Sequence, residues 1–339
     1  MPETVGPGEI DYAARLLRDG RLVAFPTETV YGLGGNALDA EAVARIYAVK
    51  RRPRTSPLIV HVASIEMTHS LVTNWPEVAD RLAQKFWPGP LTLVVEKQPA
   101  IPDIVTAGLR TVGLRMPAHP IALALIQAAG IPLAAPSANR FTELSPTTAE
   151  HVRRSLGSEI DCILDGGPCS VGIESTVLSL AGAQSGSQPV LLRPGGIPRT
   201  ELEKIVGPVS AAQEVQEVLG GAHPAPGMHP RHYSPRTTLY LTTDGKLPDE
   251  DQNKDQGIYL QHRHPPSRAN LTIHQMPQSA SDYAAALYEV LHQADVGNYN
   301  WIAVDLPPST PEWEAIQDRL KRAATFLCGN GALPRSSGA

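Results

Sequence analysis

Leu22-Val23-Ala24-Phe25-Pro26-Thr27-Glu28-Thr29-Val30-Tyr31-Gly32-Leu33-Gly34 sets a short apolar run directly against a polar, glycine-bearing one. Leu22–Phe25 has the length and composition of a buried strand. The nine residues after it supply three hydroxyls, a carboxylate and two glycines at the strand's C-terminal end. In α/β proteins that end is where ligand crevices form. A polar loop with glycine turns accounts for the same residues, so the segment by itself leaves both readings open.

The flanking sequence alternates helix and strand. Residues 9–19 predict a helix with Ile10, Ala13, Leu16 and Leu17 on one face and Gly20 at C′. Residues 39–50 predict a second helix, capped by Asp39. Leu58–Val62 reads as a buried strand, and a helix over 77–86 leads into the turn Trp87-Pro88-Gly89-Pro90. Further strands are expected at Leu91–Val95, Val112–Met116, Leu133–Ala135, Cys162–Leu164, Ser175–Leu180 and Val190–Leu192. Helices are expected over 119–129, ended by Gly130, and over 146–156. This alternation predicts an α/β domain over 1–200, and its irregular order predicts a twisted mixed sheet. Residues 201–236 begin with one helix and continue as GGAHPAPGMHPRHYSPR (220–236), which reads as an extended linker. A smaller, Rossmann-like α/β domain is predicted over 237–330. Its strands are Thr238–Thr242, Gly257–Leu260 and Trp301–Leu306, and its helices are 281–293 and 312–327. Residues 331–339 read as a frayed tail.

Composition narrows the class. The chain has 339 residues, 42% hydrophobic and 19% charged, enough apolar material for buried cores and too little charge for disorder. No run of about 18 apolar residues is present, so no membrane helix is expected. The first twenty residues lack a basic segment followed by an apolar one, so no secretory signal is expected and the chain reads as cytoplasmic. Cys162, Cys169 and Cys328 fit a reducing compartment. Residues 1–200 carry 18 Lys/Arg and 18 Asp/Glu, so the net charge of −5 arises from residues 201–339. A surface built to grip nucleic acid carries a basic excess. Cations that matter here must therefore be local.

Several chemistries are missing. There is no P-loop and no G-x-G-x-x-G, and Ser170 in GPCSVG (167–172) misses G-x-S-x-G by one residue. His229 and His232 stand three apart without an acidic third ligand and read as loop histidines, so no metal site is assigned to protein side chains. Seven segments do carry chemistry: 26–34 above, 50–54, 111–117, 134–140, 172–176, 192–196 and 232–235. Lys50-Arg51-Arg52-Pro53-Arg54 places four cations in five residues before a buried strand. That density suits polyphosphate, with Lys as a point charge and Arg as a fork, although helix C-termini also favour cations. Arg115 falls in the apolar strand of Thr111–Pro117, where burial demands either an internal carboxylate or a bound anion. Ala134–Arg140 combines small residues with Ser137 and Asn139. His61, within LIVHV (58–62), reads on its own as a satisfied core histidine rather than a ligand. Lys50, Arg52, Arg115 and Arg193 together suit a small, highly anionic ligand such as a nucleoside triphosphate.

In order, the chain contains FPTETVYGLG (25–34), KRRPRTSPLIVH (50–61), FWPGPLTLV (86–94), GLRMP (113–117), APSAN (135–139), GIESTV (172–177), LLRPG (191–195) and HYSP (232–235). This series resembles the YrdC-type L-threonylcarbamoyladenylate synthases, in the longer form with a linker and a small C-terminal α/β domain. The likeness is dense over 22–200. Further on it rests on HYSP, DYAAALYEVLH (282–292) and WIAVDLPP (301–308).

The resemblance implies a nucleotidyltransferase. L-threonine, bicarbonate and ATP, with Mg²⁺, would give L-threonylcarbamoyladenylate, pyrophosphate and water. Other proteins would transfer the product to the tRNA adenosine next to the anticodon. That reaction does not require tRNA to bind this chain. By the same resemblance, Thr29, His61, Arg115, Ala135 (through its backbone) and Ser175 would hold threonine. Arg52, Ser56, Thr111, Ser137, Asn139, Ser145, Arg193 and Tyr233 would hold ATP, and Lys50 with Arg52 would act at the phosphates. Tyr233 reaching over the nucleotide would make the linker a lid. A general base is not evident: the carbamate needs none, or His61 or a substrate group serves. Three rivals remain on sequence grounds: an RNA-binding protein, a carbamoyl-adenylate enzyme acting on another amine, and a regulatory paralogue. Charge balance opposes the first. The lack of acylphosphatase and zinc-finger regions opposes the second. The intact cation set opposes the third.

Overall fold

The computed structural model describes residues 3–182, 187–211, 233–247, 256–269 and 271–328. The chain forms two units, Met1–Phe141 with Ser145–His229, and Thr142–Leu144 with Pro230–Ala339. The segment 212–232, with His229 and His232, and the tail 331–339 lie outside the described residues. No helix among the described residues is long and apolar enough to cross a membrane.

Strands of the first unit are β1 (Glu3–Val5), β2 (Val23–Phe25), β3 (Gly32–Asn36), β4 (Ile59–His61), β5 (Leu91–Glu96), β6 (Thr111–Arg115), β7 (Leu133–Ala134), β8 (Cys162–Leu164), β9 (Thr176–Ser179), β10 (Val190–Arg193) and β11 (Ser210–Ala211). They pair in the order β1-β8-β2-β3-β7-β4-β6-β5-β9-β10-β11. Parallel and antiparallel pairs mix: β4 runs parallel to β6, while β5 and β6 are antiparallel. Helices α1 (Ile10–Arg18), α2 (Ala40–Lys50), α3 (Ile65–His69), α4 (Glu77–Phe86), α5 (Asp103–Thr106), α6 (Pro120–Ala129), α7 (Ala149–Leu156) and α8 (Arg199–Val206) connect them.

Local chemistry sets the helix ends. Gly20, at φ +72°, closes α1 as its N–H reaches Leu17 O and that of Arg21 reaches Leu16 O. Asp39 caps α2 by accepting from the Glu41 N–H at 2.9 Å. Tertiary contact decides the rest. Gly32–Asn36 forms strand β3 rather than glycine turns, antiparallel to β2. The glycines are needed there: a Cβ on Gly34 would lie 2.7 Å from the Phe25 ring, and one on Gly35 3.1 Å from both Ile46 and Leu22. Helix α8 and strand β11 extend the first unit beyond residue 200, with β11 parallel to β10. Strand β1, which sequence patterning misses, adds to β8 in parallel.

The second unit holds β12 (Thr238–Thr242), β13 (Gly257–Gln261), β14 (Thr272–Gln275), β15 (Trp301–Asp305) and β16 (Phe326–Cys328), with helices α9 (Ala280–Val296) and α10 (Glu314–Ala323). Its sheet is wholly parallel, in the order β14-β13-β15-β12-β16. The final helix ends at Ala323 instead of continuing to 327. Ala324 is extended, and the Thr325 N–H bonds Leu239 O at 2.8 Å. Residues 326–328 thereby gain a ladder beside β12, which outweighs further helical turns.

Candidate active site

One backbone turn sorts the basic run 50–54. Arg51 ends α2 in the left-handed region at φ 51°, with its N–H on Ala48 O and that of Arg52 on Tyr47 O. Lys50 and Arg52 are buried, whereas Arg51 and Arg54 are exposed. Lys50 Nζ donates to the carbonyl oxygens of Ser137 (2.5 Å) and Asn139. Arg52 donates to the carbonyls of Ser56 (3.3 Å) and Pro57 (3.1 Å), and its guanidinium lies 5.6 Å from the centre of the Phe141 ring. The fold thus joins Lys50 to Ser137 and Asn139, and Arg52 to Ser56. Asn139 Nδ2 donates to the Arg140 carbonyl at 3.0 Å.

Strand alternation places most of the remaining candidates on one sheet face. Leu93, Val95, Val112, Leu114, Val60 and Leu178 point into the main core. Their alternates point the other way: Ile59 and His61 on β4, Thr111, Gly113 and Arg115 on β6, Thr92 and Val94 on β5. Ile59, Val94, Val177 and Leu192 form a small apolar floor on this second face, where Thr111 and Gly113 border a shallow recess. Arg193 belongs by parity to the core side, but a bulge between Leu191 and Arg193 re-aims it. It donates to the Ser175 carbonyl from Nε (3.1 Å) and Nη2 (2.8 Å), and to Ser175 Oγ at 3.1 Å. Ser175 Oγ also bonds Thr92 Oγ1 at 2.8 Å. Ala135 reaches the same region through its backbone, donating to Ile59 O at 2.9 Å.

Beside this face, Arg115 meets an internal carboxylate. Arg115 Nη2 lies 2.7 Å from Glu28 Oε1, both side chains being buried. Of the two possibilities the sequence left open, the structure contains the first. Glu28 Oε2 accepts from the Ala118 N–H at 3.0 Å, and Arg115 Nε donates to Gly89 O at 3.2 Å. The Glu28 loop is tied by Thr27 Oγ1, which donates to Val30 O (2.7 Å) and bonds Thr29 Oγ1 (2.8 Å). His61 is the register partner of Arg115 and stands edge-on to Phe25 at 6.1 Å. Burial, then the Arg115 charge, pushes its pKa down to about 3, partly offset by hydrogen bonding to the Ile59 and Leu133 backbone. His61 is therefore neutral at pH 7.

This has a consequence for stability. An unfolded histidine titrates near pH 6.5, so the unfolded chain binds the extra proton between that value and about 3. The His61 contribution is complete above pH 6.5 and is lost as pH falls toward 3. His61→Gln is expected to show a shallower loss of stability between pH 7 and pH 4.5 than the unaltered protein, read from chemical-denaturation midpoints. An identical pH slope in the two proteins would refute it.

Two further carboxylate and glycine features were not assigned from sequence. Glu174, buried beside Ser175, accepts from Ser145 Oγ at 2.6 Å, which draws the predicted ATP residue Ser145 to the GIESTV turn. Gly195 lies against that turn so closely that a Cβ would sit 2.3 Å from Ser175 C and Thr176 N and 2.5 Å from Glu174 O. All three obstacles are backbone atoms. Gly195→Ala is expected to lower stability by about 1–3 kcal/mol and to raise the substrate requirement together with it. A melting temperature unchanged by the substitution would show that the turn can yield. Glu28 and Glu174 had a sequence signal, each standing inside a recognised motif, but only packing shows which atoms they serve.

Tyr233 lies in the second unit, at φ 62°. Its ring centre is 6.0 Å from that of Tyr288, and the Arg319 guanidinium lies 5.0 Å from it. The Ser234 N–H next to it bonds Thr142 O at 2.8 Å.

A family model described as "Telomere recombination", for the Sua5, YciO and YrdC group, matches residues 15–195. One described as "Threonylcarbamoyl-AMP synthase, C-terminal domain" matches residues 197–325. The chain is 50% identical over 239 residues to the threonylcarbamoyl-AMP synthase of Pyrococcus abyssi, covering 70% of this chain and 69% of that protein. It is 40% identical to the Bacillus subtilis threonylcarbamoyl-AMP synthase over 93% of each. Among solved structures, that of P. abyssi Sua5 complexed with L-threonine superposes with a TM-score of 0.86 at 37% identity, covering 96% of this chain and 97% of that one. The sequence motifs, the mixed sheet and both domain matches agree: this chain belongs to the threonylcarbamoyl-AMP synthase family, in its two-domain form.

Proposed function

We infer that this protein makes L-threonylcarbamoyladenylate from L-threonine, bicarbonate and ATP, with release of pyrophosphate and water. The observation that carries the reading is the gathering of His61, Thr111 and Arg115 on one sheet face, with Arg193 turned toward Ser175 by the β10 bulge. The threonine-bound relative, similar over nearly the whole chain, supports it.

In this reading Thr29, His61, Arg115, the Ala135 backbone and Ser175 hold threonine. Arg52, Ser56, Thr111, Ser137, Asn139, Ser145 and Arg193 hold ATP, and Tyr233 is assigned to ATP on the HYSP resemblance alone. The threonine amine becomes a carbamate, whose oxygen attacks the α-phosphorus as pyrophosphate departs. No protein nucleophile is needed, so catalysis is alignment and charge stabilisation, with Lys50 and Arg52 near the phosphates. Carbonyl and hydroxyl oxygens hold Lys50, Arg52 and Arg193 in fixed orientations, which preorganises them. The described residues contain no cluster of three or more His, Cys, Asp or Glu side chains arranged for a metal. Mg²⁺ would arrive on the triphosphate, where it would offset phosphate charge. The product would pass in the cytoplasm to the proteins that modify the tRNA adenosine beside the anticodon.

The test is pyrophosphate release from ATP with threonine and bicarbonate each omitted in turn. Release that needs both is expected. Release with bicarbonate and a different amine would change the substrate, and no release under any combination would remove the reading.

A further inference from the structure

We propose that Glu28 receives the ammonium group of threonine and takes a proton from it, the Glu28–Arg115 pair parting to admit the amino acid as a zwitterion. The inference rests on the synthase reading above and adds to it the proton acceptor that sequence left unassigned.

The pair is close but not hydrogen-bonded. Glu28 Oε1 and Arg115 Nη2 are 2.7 Å apart, yet neither atom has an aligned hydrogen-bond partner among the described residues. Their side chains are only 8% and 5% exposed, so both atoms lie away from bulk solvent. Buried charged groups that leave hydrogen bonds unmade are costly. A pair built only to hold the fold would align its fork on the carboxylate. Here each partner is secured from behind instead. Glu28 Oε2 is held by the Ala118 N–H and the Glu28 carbonyl by the Val171 N–H. Arg115 Nε is held by Gly89 O and is the only guanidinium nitrogen with a hydrogen bond among the described residues. The inward atoms, Oε1 and Nη2, are left for a third party. A third buried atom without a partner, Nδ1 of His61, belongs to the strand residue paired with Arg115.

An acid, a guanidinium and a neutral imidazole are the complement of a hydroxylated α-amino acid. Its carboxylate meets Arg115, its ammonium meets Glu28 Oε1 and its hydroxyl meets His61. The exchange leaves no net charge buried, because a neutral ion pair is replaced by two pairs around a neutral zwitterion. The chemistry then balances. The amine nitrogen forms a bond to the bicarbonate carbon as a C–O bond to its hydroxyl breaks. Of the two protons the nitrogen loses, one leaves with that hydroxyl as water and the other passes to Glu28. A carboxylic acid at Glu28 then faces the new carbamate as a donor, where a carboxylate would repel it.

Calorimetric binding of L-threonine and of 2,3-dihydroxybutanoate, which carries a hydroxyl in place of the ammonium, tests this on the full chain. In the unaltered protein, threonine is expected to bind at least tenfold more tightly. Glu28→Gln keeps the side-chain shape and the acceptor for Ala118. It is expected to weaken threonine by about tenfold or more, to leave the dihydroxy acid within twofold, and to lower kcat for pyrophosphate release by about 10²–10⁴-fold. If Glu28→Gln weakens both ligands equally, Glu28 acts only through Arg115 and the proposal fails. Should the variant not fold, the unaltered protein still decides: equal affinity for both ligands would mean that nothing in the site receives an ammonium. Failure of the unaltered protein to bind threonine at all would instead overturn the synthase reading beneath it.

Discussion

Lys50→Met is expected to lower pyrophosphate release by about 10²–10³-fold at saturating substrates, the scale set by removing one preorganised donor from a charge-stabilising site. The side chain is 1% exposed and stands at the last position of α2. Its ammonium is fixed by the carbonyls of Ser137 and Asn139, so in the proposed role it would enter the reaction already oriented and already desolvated. Methionine has a similar length and no charge. The substitution also strands two carbonyl oxygens, each worth about 1–3 kcal/mol if no water replaces the ammonium. A lower melting temperature should therefore accompany the lost rate. The two effects separate experimentally, because the kinetic loss must persist at temperatures where the variant is fully folded. A folded variant with a rate within threefold of the unaltered protein would reduce Lys50 to a pin between α2 and the 135–139 segment.

Arg193→Ala is expected to raise the ATP requirement by about 10- to 100-fold, since a charge-assisted hydrogen bond is worth about 1.5–3 kcal/mol and each 1.4 kcal/mol is tenfold. The same guanidinium holds the Ser175 carbonyl and hydroxyl, and Ser175 is assigned to threonine. The threonine requirement should therefore rise too, by a smaller factor. Arg193→Lys keeps the charge but cannot hold both Ser175 atoms from one planar fork. It should recover part of the ATP effect and little of the threonine effect. Steady-state titration of each substrate against the other, in both variants, reads the pattern. Unchanged ATP dependence in Arg193→Ala would remove this residue from the nucleotide site.

Stability and chemistry are coupled in this site because its groups are held by backbone. The Gly195 contact with the Ser175–Thr176 peptide, the Arg193 fork on Ser175 and the Thr92–Ser175 hydroxyl pair all fix one turn. Loss of any one loosens the others, so double variants among them are expected to be non-additive.

Sequence alone determined what is local. The Asp39 cap, the Gly20 terminus, the extent of helix α4 and the strand periods of β5 and β6 each depend on residues within a few positions, and each was legible. So were the motifs, and with them the family. Tertiary structure decided what depends on distant neighbours. Gly32–Asn36 has almost no strand propensity of its own and becomes β3 by pairing with β2 and β7, where Phe25, Leu22 and Ile46 leave no room for a Cβ at Gly34 and Gly35. Residues 326–328 leave the helix because β12 offers them a ladder. Arg193 reaches Ser175 through a bulge that no alternation pattern announces. Glu28 and Arg115, 87 positions apart, become partners because the loop after β2 and the end of β6 converge, an encounter that neither residue's neighbours in the chain encode.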